Sequence, residues 1–105
     1  MSNWIDVADE GDLFEGAGIG VAAQGHDVAI YKTEAGEVYA TDNICSHVGH
    51  GRLCDGFLEG HEIECPLHQG RFDIRSGAAT LEPCEEAIRS YPVKIEGGRV
   101  WLDLA

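Results

Sequence analysis

The chain has 105 residues, one domain's length, with 7 Lys and Arg against 19 Asp and Glu for a formal charge of −12. Nucleic acids and anionic membranes select basic surfaces, so this balance argues against both as partners and suits docking on basic protein patches. Hydrophobic residues at 44% and charged residues at 25% exclude a disordered chain, and four cysteines are too few for a disulfide scaffold.

The opening Met1-Ser2-Asn3-Trp4-Ile5-Asp6 has neither the basic nor the apolar region of a signal peptide. No apolar run approaches the ~18 residues of a membrane span, so the expected location is the cytoplasm. A short helical turn is expected near Asp9–Phe14. After the turn Gln24-Gly25, Val28 and Ile30 begin a run of period two. After Glu34-Ala35-Gly36, Val38 and Ala40 begin another. Beyond Glu59-Gly60, Phe72 and Ile74 alternate with Arg71, Asp73 and Arg75, and Ser76-Gly77 turns the chain again. A second helical turn is expected near Glu85–Arg89. Val93 and Ile95, then Val100, Leu102 and Leu104, alternate on either side of Gly97-Gly98, a hairpin signal. Trp4 and Trp101 are expected to pack the core. No window carries a long 3.6-residue apolar stripe. The expected class is therefore all-β with short strands, a small antiparallel sandwich or barrel.

Two Cys/His motifs carry the chemistry: Cys45-Ser46-His47 and Cys65-Pro66-Leu67-His68. In a chain without a disulfide framework, such pairs point to metal or redox work. One reading is a structural zinc held by Cys2His2. A Cys-x-His pair fits one small ion poorly, because zinc loops space their ligands by at least two residues. The pair fits better if its side chains reach different metal atoms, as around a 2Fe-2S cluster with two Cys on one iron and two His on the other. Cys45 and Cys65 would then hold the inner iron, and His47 and His68 the outer. The charge balance of the two halves adds a detail: residues 1–51 hold nine acids and one base, and 52–105 ten acids and six bases. Arg52, Arg71 and Arg75 lie near the motifs, which predicts a less negative potential there.

The text Tyr39-Ala40-Thr41-Asp42-Asn43-Ile44-Cys45-Ser46-His47, Glu64-Cys65-Pro66-Leu67-His68-Gln69-Gly70-Arg71-Phe72-Asp73 and Tyr91-Pro92-Val93-Lys94-Ile95-Glu96-Gly97 resembles the Rieske ferredoxins of bacterial aromatic-ring-hydroxylating dioxygenase systems. The likeness runs over essentially the whole chain. One departure is an extra residue between His47 and Cys65, placed around Val48–Arg52. The resemblance implies a Rieske-type fold: a single domain, 1–105, with a cluster-binding subdomain at about 43–75 inserted in a β base formed by 1–42 and 76–105. It implies one 2Fe-2S cluster on Cys45, His47, Cys65 and His68. It also implies a one-electron carrier, and no catalyst, between an NAD(P)H-dependent flavoprotein reductase and a terminal Rieske oxygenase. The carrier is expected to be a monomer that transfers through the edge of His47 or His68.

High-potential relatives brace the cluster with a disulfide, whose positions here are His50 and Leu67. No such bridge can form, and Gln69 and Gly70 stand where those relatives place a hydroxyl donor. The potential is therefore expected near the bottom of the Rieske range, about −150 mV. Cys54 and Cys84 read as small buried hydrophobes, with a redox role as the alternative. Cys84 follows Pro83 in a segment resembling the family's proline loop over the cluster. Pro66 reads equally as a turn residue and as a donor-free neighbour of a ligand. His26 and His61 read as solvated. His50, at Cys-x4-His spacing, is a lesser substitute for His47. Two other functions stay open: a zinc-stabilised interaction module, and a Rieske-like small subunit of a reductase complex that does no redox work.

Overall fold

The computed structural model describes residues 3–45, 52–67, 70–82, 84 and 86–104. Its strands are β1 (Trp4–Asp9), β2 (Ala17–Ala23), β3 (His26–Lys32), β4 (Val38–Asp42), β5 (Phe57–Glu59), β6 (Glu62–Glu64), β7 (Arg71–Asp73), β8 (Ala79–Leu81), β9 (Ser90–Tyr91), β10 (Val93–Glu96) and β11 (Arg99–Asp103). They form three antiparallel sheets, ordered β1-β11-β10, β2-β3-β4-β9 and β5-β6-β7-β8. The all-β expectation holds.

The middle sheet is the wall between two cores. Val28 and Ile30 of β3 face the first sheet and pack with Ala40, Tyr91, Val100 and Leu102. Ala29 and Tyr31 face the third sheet and pack with Ile63, Phe72 and Ile74. Strand β3 is thus buried on both sides, which explains its uninterrupted apolar run Val28-Ala29-Ile30-Tyr31. The Gly97-Gly98 turn joins β10 to β11 with φ of 61° and 75°, the left-handed pair that a two-residue hairpin requires.

The expected turn near Asp9–Phe14 is one 3-10 turn, Glu10–Asp12, capped by the Asp9 carboxylate, which accepts from the Gly11 amide at 2.8 Å. Around Glu85–Arg89 the described residues form no helix, because their backbone is used elsewhere. The Ile88 amide donates to the Gly77 carbonyl at 2.9 Å, and the Asp42 amide donates to that of Arg89 at 2.8 Å. A 3-10 turn that the sequence did not suggest spans Leu53–Asp55.

Both tryptophans depart from the expected core role. The alternation that buries Val100 and Leu102 turns Trp101 outward, where its indole donates to the Glu96 carbonyl at 3.2 Å. Trp4 is half-buried beneath the Lys94 ammonium, 4.5 Å from the ring centre. Among the described residues, no helix is long and apolar enough to cross a membrane.

Candidate metal centre

Cys45 and Cys65, which open the two motifs, sit where strands run out toward one core. After β4, Ile44 bridges to Arg52 in antiparallel register, and Cys45 follows, fully buried. Asn43 ties both ends of this first loop. Its amide donates to the Asp27 carbonyl at 2.9 Å, and its side-chain nitrogen donates to Asp27 Oδ1 at 2.9 Å. Its carbonyl accepts from the Leu53 amide at 2.7 Å, and its Oδ1 accepts from the Cys54 amide at 2.8 Å. Ser46, His47 and His50 lie outside the described residues, as does most of the stretch around Val48–Arg52.

Asn43 is fully buried. Replacing it by leucine strands the Cys54 amide and the Asp27 carboxylate, and each lost partner carries a desolvation penalty. Asn43→Leu is expected to lower unfolding free energy by about 2–4 kcal/mol. Urea unfolding checks this, and a change within about 0.5 kcal/mol, the ordinary surface-substitution range, would count against the clamp.

The second loop is the connection from β6 to β7. The Cys65 amide donates to the Gly70 carbonyl at 2.8 Å and closes it. Cys65 is fully buried, Pro66 and Leu67 turn outward, and His68 and Gln69 lie outside the described residues. At the base of the loop, Arg71 of β7 binds Glu64 of β6 across the hairpin at 3.0 Å and reaches Glu62 at 3.4 Å and Glu59 at 3.6 Å. Arg75 closes on Asp73 at 2.8 Å. These guanidinium charges are matched locally by carboxylates, so they relieve the acidity near the loops less than the bare count of bases suggested.

Cys84 and Ile88 belong to the same core. The Cys84 amide donates to the Leu81 carbonyl at 3.2 Å, and its thiol lies 3.9 Å from the Cys45 sulfur. Burial, then the neighbouring Cys45 and Cys65 sulfurs, push the Cys84 thiol up to about 12. It is 4% exposed, so the reading of a small buried group fits its packing. Cys54 is only half-buried, with its sulfur 3.9 Å from Asp55 Oδ1.

Away from the loops, His61 is not merely solvated. It sits 2.8 Å from Glu37 Oε1, edge-on to the Tyr39 ring, and holds the Glu37 carboxyl below its ordinary range. His26 packs edge-on against Tyr91, whose hydroxyl donates to Asp42 at 2.6 Å.

Arg75 grips Asp73 through both its backbone amide and its guanidinium, at 2.8–3.1 Å, and this holds the Asp73 carboxyl below its usual range. A carboxylate depressed on folding stabilises the protein fully above its unfolded value of about 3.9 and loses that contribution as pH falls through the lower folded value. Asp73 is expected to titrate below ordinary aspartates in an NMR titration. In Asp73→Asn, the part of the acid destabilisation owed to this group disappears. Titration at or above the ordinary value would contradict the pairing.

The donor chemistry fits a Rieske cluster. Cys45 and Cys65 are both fully buried, belong to the same core, and both act on the Cys84 thiol. Each opens a loop whose partner motif residue is a histidine. Two sulfur ligands from the protein's interior are what the inner iron of such a cluster takes.

Comparison with known proteins gives the class. The Rieske [2Fe-2S] domain family matches residues 3–92, and the chain belongs to that family, as a ferredoxin component of the aromatic-dioxygenase type with one Rieske 2Fe-2S cluster. Such a component is an electron carrier and not a catalyst. The chain is 54% identical to the ferredoxin component of the naphthalene 1,2-dioxygenase system of Pseudomonas aeruginosa, over 97% of this chain and 96% of that one. Among solved structures it resembles the Sphingomonas yanoikuyae B1 ferredoxin, with a TM-score of 0.89, 39% identity, and coverage of 98% and 100%. It also resembles a chain of a complex of reduced oxygenase and oxidized ferredoxin in carbazole 1,9a-dioxygenase, with a TM-score of 0.85, 31% identity, and coverage of 95% and 92%.

The sequence singled out the four motif residues but missed Asn43, the residue that fixes the first loop. Its only signal was a buried-type amide placed two residues before Cys45 at the end of a strand.

Proposed function

We propose that Cys45 and Cys65 hold the inner iron and His47 and His68 the outer. On this reading the chain carries single electrons from an NAD(P)H-dependent flavoprotein reductase to the terminal oxygenase of an aromatic-ring dioxygenase system. The observation that carries the ligand reading is the burial of Cys45 and Cys65 in one core, each at the start of a loop with a histidine in its motif. The client is proposed to be an oxygenase of the naphthalene dioxygenase kind, from the 54% identity to a carrier of such a system. The likeness to a ferredoxin found in complex with its oxygenase supports the docking partner.

Residues 43–75 act as the cluster-binding part, set into a base of 1–42 and 76–105. The chain works as a monomer in the cytoplasm, with no nucleic acid or membrane partner. The cluster supplies a one-electron couple near the low end of the Rieske range, about −150 mV. The protein's contribution is to keep the inner sulfurs from water, with Asn43 and the Cys65–Gly70 hydrogen bond fixing the two loops. The formal charge of −12 favours encounter with basic partner patches in a small, transient interface.

The test is anaerobic mixing of the reduced protein with a purified naphthalene dioxygenase oxygenase. The expected result is one electron passed per ferredoxin, at a rate that falls as salt rises. No transfer to the oxygenase sinks the partner assignment, and a rate indifferent to salt sinks the role of the acidic surface. For the ligands, His68→Ala should lose the Rieske EPR signal after dithionite reduction. An unchanged signal would refute its assignment.

A further inference from the structure

We propose that Cys84 is a positioning residue for the electron-transfer reaction: its thiol donates a hydrogen bond to the Cys45 sulfur and holds the cluster's potential above the value the two loops alone would set. The inference deepens the proposed ligand assignment and rests on it. The two sulfurs are 3.9 Å apart in the buried core, and either atom can serve as donor on geometry alone. Metal ligation decides the direction. A cysteine bound to iron is a thiolate with no proton to give, so Cys84 is the donor and Cys45 the acceptor.

The surroundings support a fixed donor. Cys84 is 4% exposed and packs in the same core as Cys45, Cys65, Phe72 and Ile88. Its amide is held by Leu81, and four residues on the Ile88 amide is held by Gly77. The segment is therefore anchored on both sides of the thiol. Water does not compete for the bond, because both sulfurs are removed from solvent.

The sign follows from charge. Reduction adds one negative charge to the cluster and its ligand sulfurs. A donor aimed at one of those sulfurs stabilises the reduced form more than the oxidised, so the bond raises the potential. Its removal should shift the ratio of reduced to oxidised protein, at fixed solution potential, toward oxidised by about threefold to tenfold. At about 59 mV per tenfold for one electron, the upper figure is a negative shift of about 59 mV. This bond occupies the function that the hydroxyl donors of high-potential relatives would serve, from a different part of the chain.

The experiment is potentiometric titration of the holoprotein, Cys84→Ala and Cys84→Ser, each first checked for iron content and visible spectrum. The alanine variant is expected to keep its cluster and titrate more negative, with serine, which restores a donor, lying above alanine. A merely structural role for Cys84 would change stability and leave the potential in place. An alanine potential equal to or above that of the parent overturns the proposal. If the alanine variant does not take up a cluster, the S–H stretch of the oxidised parent is the second readout. A band lowered in frequency and lost in Cys84→Ser supports the bond, and its absence overturns it. Cys45→Ser separates the two claims. An unchanged Rieske spectrum there refutes the ligand assignment itself, whereas a lost cluster together with an unmoved Cys84→Ala potential refutes only the bond.

Discussion

Cys65→Ser is expected to abolish the visible Rieske spectrum and to lower bound iron to less than about half, since a buried thiolate ligand has no equivalent in a hydroxyl. The cost is not confined to colour. Cys65 is fully buried beside Cys45, Phe72 and Ile63, so the unligated hydroxyl sits in an apolar core at a cost of about 1–3 kcal/mol. Metal binding and folding draw on the same free energy, so thermal unfolding should shift downward as well. The Cys65–Gly70 backbone hydrogen bond does not involve the side chain, so the variant should fold well enough for both readings. Cys54→Ser is the control. That thiol is half-buried and lies toward Asp55, and the variant is expected to keep its full cluster. Full iron and a native spectrum in Cys65→Ser would remove Cys65 from the ligand set.

Gly77→Ala is expected to destabilise the protein by about 3–5 kcal/mol, among the largest effects of a single methyl group. Gly77 has φ of +82°, a region that costs an L-residue about 1–2 kcal/mol, and an added Cβ there would run into the Ile88 carbonyl. The collision is with backbone, which cannot swing aside as a side chain can. The Ile88 amide is bonded to the Gly77 carbonyl at 2.9 Å, so pushing the two segments apart breaks the bond that holds them. Gly25 supplies the comparison. Its φ is also +82°, with nothing within 4 Å of an added methyl, so Gly25→Ala isolates the backbone term at about 1–2 kcal/mol. Guanidinium unfolding of both variants separates strain from collision. Equal losses would show that Ile88 yields. Ile88 packs with Cys84 and Cys45, so the larger loss should also weaken cluster retention.

The chemistry of this protein was more legible in its sequence than its architecture. Two short motifs named the chemistry, because ligand type and spacing are local facts. The strands β4, β7, β10 and β11, with their alternation, and β3, with its apolar run, were visible for the same reason. Strand β2 was not. Its Ala17-Gly18-Ile19-Gly20-Val21 reads as weak strand text. A Cβ at position 20 would lie 2.8 Å from Arg52 Nη2 and 3.0 Å from both Asn43 Nδ2 and Cys54 Sγ. Those neighbours lie more than twenty positions away in sequence. Strands β5, β6 and β8 have three residues each, too few for a period to show, whereas the alternation of the equally short β7 runs on past its end through Ile74 and Arg75. Cys84's closeness to Cys45 and Asn43's four bonds are likewise long-range facts, set by sheets that only the fold brings together.

The double burial of β3 leaves its register unprotected by polarity. Where one face of a strand meets water, a slip of one residue exposes apolar side chains and is resisted. Here both faces are apolar, and a slip would only trade Val28 and Ile30 for Ala29 and Tyr31. Shape must resist it instead. Tyr31 lies opposite Gly18, where a Cβ would come within 3.0 Å of the ring, and its hydroxyl meets Thr41 Oγ1 at 2.9 Å. A missing side chain on one neighbour and a hydroxyl on the other admit this one alignment. Thr41 is only four positions ahead of Cys45, so the tyrosine that keys the central sheet also sets where the first sulfur emerges.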